Sequence, residues 1–131
     1  NYRGIEISTS STTKGQLTIT IGDGTNVIQT GTYAPLRVPY NCSISSNEVV
    51  LDQTGSIVID IWKDTYANYE PDNADSITAS APPTVTSALT SKDNDLTGWT
   101  PSLNAGDYLM FNVDSIATAT RATLSLEVDK T

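Results

Sequence analysis

Apolar residues that recur at every second position are the strongest constraint on this chain. In SIVIDIWKD, Ile57, Ile59 and Ile61 share one face of an extended segment, and Val58, Asp60 and Trp62 share the other. RATLSLEVDK repeats the pattern: Ala122, Leu124, Leu126 and Val128 face one way, and Thr123, Ser125, Glu127 and Asp129 face the other. In YLMFNVD, Leu109, Phe111 and Val113 alternate with Met110, Asn112 and Asp114, and in QLTITI, Leu17, Ile19 and Ile21 alternate with polar neighbours. A period of two places one set on a dry face and the other toward water, which is the signature of a half-buried β-strand. Turn formers separate the runs. GDGTN at 22–26, DQTG at 52–55 and NAGD at 104–107 predict turns, because Gly, Asn and Asp accept tight backbone at low cost. Further strand-like pieces are read at 27–33, 35–40, 42–51, 77–80 and 96–99. The stretches 65–76 and 81–96 read as loop, and no stretch has a helical period. The reading is all-β: an antiparallel β-sandwich, jelly-roll-like, of about eight strands.

Length and composition bound the rest. At 131 residues the chain is the size of one domain and can hold a core without disulfides. Residues 1–15 are rich in Ser, Thr and Lys and are read as an N-terminal arm or linker, with residues 16–131 as the single sandwich domain. A formal net charge of −8 argues against nucleic acid and against an anionic membrane surface, both of which need clustered cations. No apolar run reaches the roughly 20 residues of a membrane-spanning helix, so membrane insertion is not expected.

There is no histidine and one cysteine, Cys42. A lone thiol closes no internal disulfide and is read as a buried, inert side chain. Structural zinc, which takes four Cys or His ligands, is not expected, nor is a Ser–His–Asp or Cys–His triad. Asp60 and Glu127 are conceivable partners for a carboxylate-pair glycosidase, but nothing in the sequence brings them together. The reading is that the chain is not an enzyme and carries no cofactor and no metal. EPDNADS (70–76) and KDNDL (92–96) lack the spacing of a calcium loop, and Asp and Asn serve turns well on their own account.

One cluster has chemistry to offer. Trp62, Tyr66 and Tyr69 stand close in sequence to Asp72 and Asp75. Flat aromatic faces can stack on a sugar ring while carboxylates take its hydroxyls, so these five residues are the candidate ligand-binding set. The competing reading has Trp62 and one tyrosine covering the edge of the core, with a polar tip bonded to backbone, and it needs no ligand. Trp99, in LTGWTPS, is read as a buried cap on the end of the sandwich.

TIGDGTNVIQTGTYAPLRVPYNCSI, LDQTGSIVIDIWKDTYANYEPDNADSIT, APPTVTSA and LTGWTPSLNAGDYLMFNVDS, followed by RATLSLEVDK, together resemble a β-sandwich module of tailed-bacteriophage virion proteins, over roughly residues 18–131. The resemblance implies a structural or adhesive role on the surface of an extracellular particle, in a tail fibre or another exposed virion part. It implies subunit assembly as a homo-oligomer, with a trimer favoured, contact with other virion proteins, and a host-surface glycan as a further partner. A stand-alone capsid decoration protein and a carbohydrate-binding module are the alternatives. The resemblance carries no catalytic or metal residue onto this chain.

Overall fold

The computed structural model describes residues 13–131. Residues 1–12 of the expected arm lie outside the described residues. Seven strands follow: β1 (Lys14–Ile21), β2 (Gly31–Arg37), β3 (Cys42–Asp64), β4 (Thr84–Asp93), β5 (Ser102–Leu103), β6 (Tyr108–Ala117) and β7 (Ala122–Lys130). Short 3₁₀ turns at Tyr66–Asn68 and Asn73–Asp75 lie between β3 and β4. Every strand pairing is antiparallel, and the sheet curls into a half-barrel.

The 23-residue β3 organises the molecule. Its first half pairs with β7 and its second half with β6, while β4 pairs with both halves. Val49 is opposite Leu124 on one side and Ser91 on the other; Ile57 is opposite Ile116 and Val85. Because β4 takes one edge of β3 between Asn47 and Val58, with β5 at Cys42 and Ser43, β6 and β7 lie in line along the other. Beyond them, β2 pairs with β6 and β1 with β7. The sheet is thus a set of long strands, several of them interrupted at the same level.

That level is a seam made by close approach. A side chain at Gly55 would place its Cβ 2.5 Å from the Ala117 carbonyl oxygen and from the Thr118 hydroxyl. At Gly22, with φ +101°, it would run into the Thr120 carbonyl. Neither site tolerates a Cβ without movement of its neighbours, hence glycine at both. Across the seam, Gly24 and Ile28 N–H groups donate to the carbonyls of Thr120 and Ala119 at 3.0 and 3.1 Å. The Asp52 carboxylate accepts the N–H groups of Thr120 and Arg121, each at 3.0 Å, and the Thr120 hydroxyl. These bonds hold the Asp52 carboxyl below its ordinary pKa, the Thr120 hydroxyl contributing most.

The inward sets are placed as the sequence reading had them, except that Ile19 is only partly buried, while Met110, on the outward phase of β6, is buried as well. Ile57, Ile59, Ile61, Leu109, Phe111 and Val113 from one half meet Leu17, Val49, Leu124, Leu126 and Val128 from the other in one core cluster. Trp99 is buried, and its indole N–H donates to the Ala81 carbonyl at 2.8 Å. The Cys42 thiol is buried too, and loss of water around it pushes its pKa up.

The strand boundaries differ in informative places. DQTG at 52–55 is not a turn; β3 runs through it although of these four residues only Gly55 has a strand partner, Ala88. The 118–121 segment holds it instead: the Asp52 N–H donates to the Arg121 carbonyl at 3.1 Å, and the Thr54 carbonyl accepts the Thr118 hydroxyl at 2.8 Å. Residues 84–93, read as loop, form β4, a strand at the sheet edge whose weak apolar signal reflects a single fully buried residue, Val85. The stretches 77–80 and 96–99 are turns or bends, and the strand expected over 27–33 begins only at Gly31. A β-bulge explains one shift of phase. Ser45 and Ser46 together face Glu127, so the buried face of β3 passes from Cys42 and Ile44 to Asn47, Val49 and Leu51.

Candidate functional site

The segment after β3 is built around one carboxylate. Asp60 stands on the face of β3 opposite the three isoleucines, yet it is only 8 % exposed. Its Oδ1 accepts the Ile61 N–H at 2.8 Å, the Ser76 hydroxyl at 2.7 Å and the Thr78 hydroxyl at 2.6 Å. Its Oδ2 accepts the Trp62 indole N–H at 3.0 Å. Four donors compensate the burial of the charge, which unpaired would be prohibitive. The loop is pinned back to β3 as a result, and the Ile77 N–H reaches the Ile61 carbonyl at 2.9 Å. Trp62 is therefore a half-buried structural residue whose polar tip is already used.

Asp72 and Asp75 have local duties. The Asp72 carboxylate accepts the Ala74 N–H at 2.9 Å, and Asp75 accepts the Asp72 N–H at 2.8 Å, closing a capping box around the second 3₁₀ turn. Asp93 likewise accepts the Asp95 N–H at 3.0 Å. Among the described residues no group of three or more acidic, Cys or His side chains is placed to hold a metal. Asp60 and Glu127 lie on different halves of the sheet, opposite Asn112 and Ser46 respectively.

The tyrosines are arranged differently. Thr65 caps the first 3₁₀ turn: its N–H donates to Asp64 at 2.8 Å, and its hydroxyl accepts the Asn68 N–H at 3.3 Å. This turn presents Tyr66, 78 % exposed, and Tyr69, 45 % exposed. Both meet Tyr108, the first residue of β6. The Tyr69 and Tyr108 rings are 5.4 Å apart, edge to face, and the Tyr66 and Tyr108 rings are 6.2 Å apart at 39°. The Tyr69 hydroxyl lies 3.9 Å from the Met110 sulfur. Together with Pro35 and Ala67, the three tyrosines line an open cleft of about 580 Å³.

Pro35 reaches the cleft because β2 bulges between Tyr33 and Leu36, with Ala34 at φ +85°. Only an edge strand accepts a proline there, since it has no N–H to give to a ladder. On either side of Tyr108 the register places Arg37 of β2 and Asp64 of β3. The structure thus brings together Tyr66 and Tyr69 of the five candidate residues and leaves Trp62, Asp72 and Asp75 outside the cleft lining. Pro35 and Tyr108, which complete it, come from strands distant in sequence. The only hint of Tyr108 was an aromatic at the outward phase of the YLMFNVD alternation.

A second depression crosses the outer face of β1, β7, β3 and β4 and is lined by Lys14, Gln16, Ser46, Glu48, Lys92, Ser125 and Glu127 among others. It is polar and of mixed charge, as a solvated sheet face should be. No family of known proteins matches the chain, and no curated protein matches it either.

Proposed function

We propose that this chain is a non-catalytic module of a phage virion surface, whose tyrosine cleft serves attachment. The observation that carries the attachment reading is the cleft itself. Two exposed tyrosines, Tyr66 and Tyr69, and the half-buried Tyr108 of β6 line it, and the loop that carries the first two is tied down at its start by the Thr65 cap and at its end by the Asp60 network. Exposed aromatic surface costs solubility, and contiguous patches of it usually mark contact sites. The virion setting rests on the sequence resemblance. It is extracellular and particle-bound, and the domain works there as a homo-oligomer, with a trimer favoured. Among the described residues β1, β2 and β4 are edge strands of the sheet, and such edges suit subunit contacts, since an uncovered edge offers unpaired N–H and C=O groups.

The finer fold belongs to the same proposal. A sheet bent along the Gly22–Gly55–Thr118 seam packs its halves on each other as a sandwich does when strands pass from one sheet to the other through bulges and bends.

Attachment is tested by coating beads with the chain and counting beads bound to a panel of bacterial cells, with Tyr66→Ala as control. Adsorption that depends on Tyr66 supports the reading; adsorption absent from every strain, or indifferent to Tyr66, defeats it. Light scattering on the purified chain tests assembly, and a clean monomer counts against the virion setting.

A further inference from the structure

We propose that the Tyr66–Tyr69–Tyr108 cleft binds the apolar face of a neutral pyranose ring. The inference rests on the attachment reading above and names its ligand.

Three observations narrow the chemistry. The first is ring geometry. An ammonium cage needs aromatic faces held apart around the cation. Here Tyr69 meets Tyr108 edge to face with centroids 5.4 Å apart, so the pair is filled by its own contact. What is left open is the surface of Tyr66 and part of Tyr69, with Pro35 and Tyr108 beside them, a lining suited to stacking by a flat ring. The second is rigidity. Tyr66 stands on a capped turn, and Tyr108 stands on a strand paired on both edges, by β2 and β3. A preformed platform loses little conformational freedom on binding, which suits a weak ligand of few atoms. The third is charge. Asp64 and Arg37 flank Tyr108 in register, one accepting and one donating hydrogen bonds, and their formal charges cancel. Neither lines the cleft itself, so their effect is to leave its surroundings without net charge, which suits a neutral ligand. An anionic sugar would also meet a chain of formal net charge −8.

The test uses the whole chain and defined probes: methyl glucoside, methyl galactoside and methyl mannoside, their disaccharides, and N-acetylneuraminic acid as the anionic comparison. Saturation-transfer NMR reports which ring protons touch the protein, and titration gives the affinity. At least one neutral pyranoside should bind through the protons of its apolar face. Tyr66→Ala should weaken that binding about tenfold or more, as loss of a central aromatic contact does. Tyr66→Phe, which keeps the ring, should stay within about threefold. Because Tyr66 is exposed, both variants should fold, and circular dichroism checks this. If no neutral pyranoside binds, or if binding ignores Tyr66→Ala, the inference is overturned. Preference for N-acetylneuraminic acid also overturns it. Set beside the bead experiment, the two ideas separate. Tyr66-dependent adsorption without sugar binding removes the ligand and keeps attachment, whereas sugar binding without adsorption keeps the ligand and removes attachment.

Discussion

Residues 60–62 and residues 66–69 are neighbours in the chain, and the fold treats their polar and aromatic groups in opposite ways. Asp60 and Trp62 turn inward on each other: a carboxylate and an indole N–H meet at 3.0 Å, and two hydroxyls from the following loop complete the set. Tyr66 and Tyr69 turn outward, and Tyr66 leaves most of its surface to solvent. In the first region the hydrogen bonds that can form are formed within the chain. In the second, a rigid apolar surface is displayed. The first region makes the second possible, because the network on Asp60 anchors the far end of the loop that carries the tyrosines. Aromatic and acidic residues crowded together in sequence thus divide into structural and displayed groups according to whether β3 or the loop after it holds them.

Substitutions can break or sharpen that contrast, beginning with the largest effect. Ile59→Ala removes a fully buried side chain beneath the Asp60 region and should cost about 2–5 kcal/mol in urea unfolding. A near-zero cost would mean that the two faces of β3 are assigned the wrong way round. Asp60→Ala should cost about 3 kcal/mol, because it strands the Trp62, Ser76 and Thr78 donors. Hydrogen exchange should then speed up across 65–78 before it does in β7. Uniform acceleration would show that Asp60 does not anchor the loop. Trp99→Phe keeps an aromatic ring in the core but loses part of the indole volume and leaves the Ala81 carbonyl without its donor, at about 1–3 kcal/mol together. Tyr66→Ala should lie within about 0.5 kcal/mol of the parent chain in stability while abolishing attachment. A large loss of stability would make Tyr66 a structural residue and erase the contrast.

Acid provides a test at the seam. The folded pKa of Asp52 is depressed below its ordinary value of 3.8 by the Thr120 hydroxyl and the Arg121 and Thr120 N–H groups. Its contribution to stability is therefore complete above about pH 3.8 and is lost as pH falls through the lower folded value. Asp52→Asn should flatten the acid limb of the stability profile below pH 4 and leave the neutral limb with the same slope. An unchanged acid limb would mean that these bonds persist in the unfolded chain or do not form in the folded one.

What could be read from the sequence follows the physics of each feature. The core faces of β3, β6 and β7 were legible because burial on one side of a strand enforces a period of two. β4 was not, because an edge strand with one fully buried residue has almost no period to read. DQTG looks like a turn because its residues accept turns, and only contacts with the distant 118–121 segment hold it extended: Asp52 bonds Thr120 and Arg121, and the Thr54 carbonyl accepts the Thr118 hydroxyl. Tyr66 and Tyr69 were legible as an aromatic pair on a loop. Trp62, Asp72 and Asp75 were grouped with them because nearness in sequence cannot tell an inward side chain from an outward one.

The sequence by itself determined the β class, the antiparallel habit, the dry faces and the inward placement of Trp99, since local alternation and turn chemistry act over a few residues. Only the tertiary structure decided that Tyr108 and Pro35 complete the cleft, that Asp60 anchors the loop, and that two glycines make the seam. These depend on contacts between strands far apart in the chain, and such contacts form only when the whole sheet has closed around its core.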